Sequence, residues 1–167
     1  KKINLEDQSE ARGYRAVLVS QQPQYLLGLN FNRNSSFEGL FTATVETAAT
    51  AERNAVTLSV EPFSTLSNVN APAGATHFRL VNAITVLSDF AYNATTKVYE
   101  PIDGVLNETS KITYSDYIEL GTSVTAPLSV VSTLPGSPEM NADVSLISCV
   151  GIEFYQKVGA NYYIFNV

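Results

Sequence analysis

DVSLISCVGIEFYQKVGANYYIFNV, residues Asp143 to Val167, is the stretch that decides the fold. Val144, Leu146, Val150, Ile152, Phe154 and Val158 fall on one side of an extended chain, and Ser145, Gly151, Glu153 and Lys157 fall on the other. That period of two belongs to a strand with one dry face. Gly159 and Ala160 mark a reversal, so the stretch predicts one long β-hairpin.

The same writing recurs upstream. Leu128 to Leu134 predicts a strand that Pro135, Gly136 and Pro138 break. In Lys111 to Leu120, Ile112, Tyr114, Ile118 and Leu120 share a face with Asp116, after a charged, turn-rich link over Asp103 to Ser110. The longest strand predicted runs from Thr76 to Tyr92, with Phe78, Leu80, Ile84, Val86 and Phe90 alternating against His77, Arg79, Thr85 and Asp89. It returns through Asn93 to Lys97 into Val98 to Pro101. Leu40 to Thr47 and Ala55 to Glu61 form a further hairpin, each arm with one apolar face, and Ser64 to Gly74 reads as a loop. After Pro23, Gln24 to Asn32 (QYLLGLNFN) predicts the first strand. Many short strands punctuated by Gly, Pro and Asn predict an all-β, antiparallel sandwich of Greek-key, Ig-like or jelly-roll-like type, or a Greek-key barrel.

Residues 1–22 differ from the rest, carrying much of the charge, and are read as an N-terminal helix or exchangeable arm ahead of a β-sandwich domain over 23–167. A short helix from Asp7 towards Val19 is one expectation, weakened by Gly13. An extended arm, in which Tyr14 to Ser20 pairs with a sheet, is the other. As an assembly arm its anchors are Ile3, Leu5, Tyr14, Val17 and Val19.

Composition narrows the classes of function. A chain of 167 residues fits one domain with one core. Only 16% of residues are charged, against about 25% for an average soluble domain, and Ser, Thr, Asn and Tyr supply the polarity. The net charge of −6 opposes binding to nucleic-acid backbones or anionic lipid. No apolar run approaches the roughly 18 residues of a spanning helix. The single Cys149 has no internal disulfide partner and reads as a small apolar strand residue. A start at Lys1 without Met implies a processed or incomplete product, and an extracellular or cell-surface setting is favoured.

Catalytic and metal motifs are weak. His77 is the one histidine, so any Ser/His/Asp or Cys/His relay must use it, yet no nucleophile turn accompanies it. Zinc would need His and Cys ligands that the chain lacks, and no calcium loop is present. Glu100, Asp103 and Glu108 cluster in a link, while Asp116 and Glu119 are an odd number of positions apart and face opposite sides of a strand. No catalytic residue, cofactor or metal is therefore assigned. Tyr92, Tyr99, Tyr117 and Tyr162 stand out among the tyrosines as a possible binding surface, because Tyr stacks on sugar rings and is common at subunit contacts. The absence of Trp moves that reading from glycans towards protein contact. Three sequons, at Asn34, Asn93 and Asn107, fall in predicted turns and matter only in a glycosylating host.

Taken together, ARGYR (Ala11 to Arg15), LLGLNFN (Leu26 to Asn32), PAGATHFRLV (Pro72 to Val81) and CVGIEFYQKVGANYY (Cys149 to Tyr163) are similar to segments of a β-rich family of uncharacterised proteins in Bacteroidota. The last resembles that family's G-[IV]-E-F-Y-Q-x-V stretch, and the order of the segments agrees. The resemblance implies a β-rich bacterial protein with a further N-terminal region, and brings no activity, substrate or catalytic residue with it.

The expected function is that of a structural, self-assembling subunit of a filament, appendage or particle, joined to copies of itself through β-edges and the N-terminal arm. The alternative is a sandwich module that binds a glycan or a protein ligand. A hydrolase acting through His77 or the acidic link ranks third.

Overall fold

Twelve strands form among the described residues, which are 3–124 and 126–165 in the computed structural model. They are β1 (Val45–Ala49), β2 (Ala55–Val60), β3 (Phe63–Ser64), β4 (His77–Ser88), β5 (Phe90–Asn93) and β6 (Val98–Pro101), followed by β7 (Ser110–Tyr114), β8 (Ile118–Glu119), β9 (Ser123–Val124), β10 (Leu128–Thr133), β11 (Val144–Val158) and β12 (Asn161–Phe165). Lys1, Lys2, Thr125, Asn166 and Val167, which the sequence places in the arm, in the terminal hairpin or between strands, lie outside the described residues.

All pairings are antiparallel. The largest sheet has the order β12-β11-β4-β7, with β8 continuing along the β7 side of β4, the next has the order β1-β2-β10, and β3-β9 and β5-β6 form two-stranded sheets. The expected hairpin is the spine of the first sheet: β11 pairs with β4 from Val144 opposite Ser88 to Tyr155 opposite His77, then turns at Gly159 into β12. Gly159 has φ +62°, in the left-handed region that a tight reversal needs and that glycine enters without a Cβ clash.

The two larger sheets pack face to face. Leu58 and Val60 of β2, Val130 of β10, Phe78 and Leu80 of β4 and Phe154 of β11 share one apolar cluster with Phe41 and Phe63. Val56, Ile84, Val86, Leu134 and Val144 extend it. Alternation puts these side chains inward because one face of each sheet removes them from water, at about 25 cal/mol per Å² of apolar area. Among them sits Asn82, fully buried on β4. Its Nδ2 donates to Val56 O and to Val130 O at 2.8 Å each, crossing from one sheet to the other, while Ser132 Oγ donates to Asn82 O at 2.7 Å. The result is an all-β antiparallel sandwich.

Several expected elements are built differently. Lys111 to Leu120 is not one strand with one face, because Ser115 to Tyr117 interrupt it and shift the phase. Ile112 lies opposite Ala83 on the outer face, whereas Ile118 lies opposite Phe78 and packs on the core. Ser115 holds the interruption in place: its N–H donates to Leu80 O, and its Oγ accepts from Leu80 N–H, both at 2.9 Å. The strand expected over Thr76 to Tyr92 breaks at buried Asp89. The strand expected from Leu40 begins only at Val45, with Phe37–Leu40 as a single helical turn capped by Ser36.

Gln24 to Asn32 is not a strand. Pro23–Tyr25 forms a 3-10 turn, Gly28 takes φ +71°, and the asparagines close local turns. Asn32 N–H donates to Asn30 Oδ1 at 3.0 Å, and Asn34 N–H donates to Asn32 Oδ1 at 2.9 Å. Such side-chain bonds to neighbouring backbone compete with a sheet ladder. The helix expected from Asp7 to Val19 is also absent. Ile3–Glu6 is helical, and Asp7 instead ties a turn by accepting from Ser9 N–H and Ala16 N–H, both at 2.8 Å. Val17 then makes an isolated antiparallel bridge to Phe90, which is the extended alternative in its shortest form.

Candidate assembly site

β11 pairs with β4 from Val144 to Tyr155 on one side, and on the other side pairs with β12 only from Phe154 to Val158. Asp89 N–H donates to Asp143 O and Thr76 N–H to Tyr155 O, so odd-numbered residues of β11 aim their backbone groups at β4. Antiparallel geometry then aims those of the even-numbered residues away from it. β12 takes up Phe154, Gln156 and Val158. Arg53 Nη1 donates to Val144 O at 3.1 Å and covers the first carbonyl. Between these caps, Leu146, Ser148, Val150 and Ile152 have no strand partner on that side among the described residues. Natural edges are blunted by Lys, Pro or bulges. This stretch, LISCVGI over 146–152, contains no charge and no proline.

Beside this edge lies a groove of about 1010 Å³. Its sheet side includes Ile147, Cys149 and Val150, and the segment over residues 26–35 forms the opposite wall. A smaller crevice of about 360 Å³ continues it past Pro23, between Thr47 and Ala49 of β1 and Ser145 and Ser148 of β11. The sandwich is thus closed where β10 meets β7 and open where β1 faces β11.

The outer face of the larger sheet carries a second feature. Arg79 lies over the Tyr114 ring at 3.8 Å and within 5.3 Å of Tyr117, and its Nη2 is 3.0 Å from Glu153 Oε2. Tyr155 donates its hydroxyl to the same Glu153 oxygen. Burial, then that carboxylate, push the Tyr155 hydroxyl well above the ordinary tyrosine range and keep it a donor. Tyr117 and Tyr162 stack at 3.7 Å with planes 2° apart, and His77 meets Tyr162 edge-on at 5.1 Å. Arg79→Ala should lower the unfolding free energy by about 1–2 kcal/mol, and Tyr114→Ala should remove part of the same quantity, so the double variant is less than additive in urea titration.

The tyrosines singled out from sequence therefore separate into two groups. Tyr117 and Tyr162 belong to the Arg79 cluster. Tyr92 and Tyr99 pair edge-on at 5.7 Å on β5 and β6, and Tyr14 meets Tyr92 at 4.8 Å. Tyr99 donates its hydroxyl to Arg15 O at 2.8 Å, so this pair holds the N-terminal segment. Of the arm anchors, Val19 is buried, Ile3 and Val17 are half-buried, and Leu5 and Tyr14 are exposed. Sequence reasoning did not single out Arg79 with Glu153, or Asp89, which accepts from Ser20 N–H at 2.8 Å. The cross-strand pair was legible only once the β4–β11 register was known.

Three turn carboxyls are held below their ordinary range by donors. Hydrogen bonds from Ser9 and Ala16 do this for Asp7, from Thr96 and Asn93 for Glu100, and from Leu106, with Asn141 and Val105, for Asp103, where partial desolvation opposes them. A depressed native value contributes stability above the unfolded carboxyl pKa and loses it on acidification. Thermal midpoints should accordingly stay level above about pH 5 and fall below about pH 4, and Asp103→Ala should flatten that fall.

His77 is buried. Its Nδ1 lies 2.9 Å from Thr76 Oγ1, which itself accepts from Lys157 N–H at 2.8 Å. Cys149 is half-buried on the outer face, where burial pushes its thiol up and away from the reactive thiolate. Among the described residues, no group of three His, Cys, Asp or Glu side chains could hold a metal ion, and no helix is long and apolar enough to cross a membrane. The fold and these surfaces define an all-β antiparallel sandwich with an open lateral edge. No family model, curated protein or solved structure matches the chain.

Proposed function

We propose that this protein is a structural, self-associating subunit whose copies join by strand addition at the free edge of β11. The observation that supports this reading is the run from Leu146 to Ile152, which among the described residues has no strand partner on the side away from β4, with an apolar groove alongside. Unpaired backbone groups on an extended edge are a template for another strand, and main-chain hydrogen bonds give such contacts affinity without special side chains. The glycan-binding alternative has less support, since the Tyr117 and Tyr162 rings cover one another's faces.

Ser148 tests the proposal. It is exposed, and its N–H points away from β4, so Ser148→Pro removes an edge donor without removing a bond to β4. Light scattering should show oligomers of the native chain and monomers of the variant, with an unchanged far-ultraviolet circular dichroism spectrum. Ser148→Lys should act in the same direction. A native chain that stays monomeric at high concentration would refute the proposal.

A further inference from the structure

We propose that the strand received by β11 is the Leu26–Asn32 segment of a second copy; this rests on the self-association reading above. In the segment LLGLNFN, Leu27, Leu29 and Phe31 are 77%, 53% and 81% exposed. They stand two residues apart, so extending the segment puts all three on one face. Local turns, and not packing, keep it from being a strand in its own copy. Apolar side chains left in water beside an edge with no strand partner among the described residues form a complementary pair of surfaces within one molecule.

Chain length favours delivery to a neighbour. The segment is held at one end by Ser20 on Asp89 and at the other by the helical turn Phe37–Leu40, which packs on β11. Sixteen residues, Gln21 to Ser36, lie between these anchors. They pass an edge of seven residues, Leu146 to Ile152, which spans about 20 Å at the strand rise. Roughly half the segment would suffice to follow the edge. The excess makes a projecting loop, longer than connections usually are, that can leave its own groove with both anchors in place.

Cys149 is a native reporter on the receiving strand. Neighbouring strands bring Cα atoms to about 4.5–5.5 Å, within the reach of a disulfide. Single cysteines placed in turn at residues 26–32 of the full chain, followed by mild oxidation, should give disulfide-linked dimers and larger species at the one position that lies opposite Cys149, and little at its neighbours. Those species should be lost in a Cys149→Ser background. A synthetic peptide of sequence QYLLGLNFN should dissociate the native oligomers. Disulfides formed only within one chain would overturn the proposal by showing that each copy keeps its own segment. Oligomers that persist with no linkage at any position would overturn the choice of donor and leave strand addition standing. Monomers throughout would overturn both.

Discussion

Asn82→Asp should destabilise the sandwich by roughly 3 kcal/mol or more at neutral pH. The residue is fully buried between the sheets, and its amide supplies the donors for Val56 O and Val130 O. A carboxylate there would face two carbonyl oxygens with no donor. It would take up a proton instead, its pKa pushed upward by burial and by those dipoles. The sign of the pH dependence follows. A raised native value favours the folded variant at low pH and penalises it as pH rises, so the deficit against the native chain should shrink between about pH 8 and pH 5. Urea midpoints at the two pH values measure it, and a deficit that does not depend on pH would show that the side chain escapes to solvent. Asn82 Oδ1 has no partner among the described residues, so the amide is held for its donors alone.

Asp89→Ala should cost somewhat less, about 2–3 kcal/mol, with the loss concentrated on the N-terminal segment. The Asp89 side chain is 1% exposed and accepts both the N–H and the hydroxyl of Ser20. Its backbone bonds, to Asp143 O and from Ile102 N–H, remain in the variant, so β4 and β11 keep their register. Amide exchange at Val17 and Ser20 should accelerate, and proteases should cut within residues 14–22 before the sandwich unfolds. Asp89→Asn keeps an acceptor and should lie between the two. Equal protection in all three chains would mean that the Val17 and Val19 packing and the Tyr99 bond to Arg15 O secure the segment without Asp89.

The sequence was most readable where one face of a strand is dry. In His77 to Ser88 the alternation of side chains and the observed burial agree, because a slip of one residue would turn the whole apolar set into water. In Val144 to Phe154 only the two ends are buried, since the middle of the strand borders the groove beside it. It was least readable in LLGLNFN, whose apolar alternation looks like a strand while asparagines and Gly28 satisfy the backbone locally. Lys111 to Leu120 failed for a related reason. A three-residue interruption changes the face without changing the composition, and only the bonds between Ser115 and Leu80 reveal it.

Period-two alternation and turn residues determined by themselves that this chain is all-β and antiparallel with a terminal hairpin, and left a sandwich and a Greek-key barrel both open. They act through neighbours in the chain and through burial, which local spacing encodes. Tertiary structure alone decided that β11 has β4 on one side and an open stretch on the other, that Asn82 ties the sheets, and that the tyrosines divide between Arg79 and the N-terminal segment. Those outcomes depend on which strands become neighbours, and strand order is set by the packing of distant faces that alternation does not distinguish.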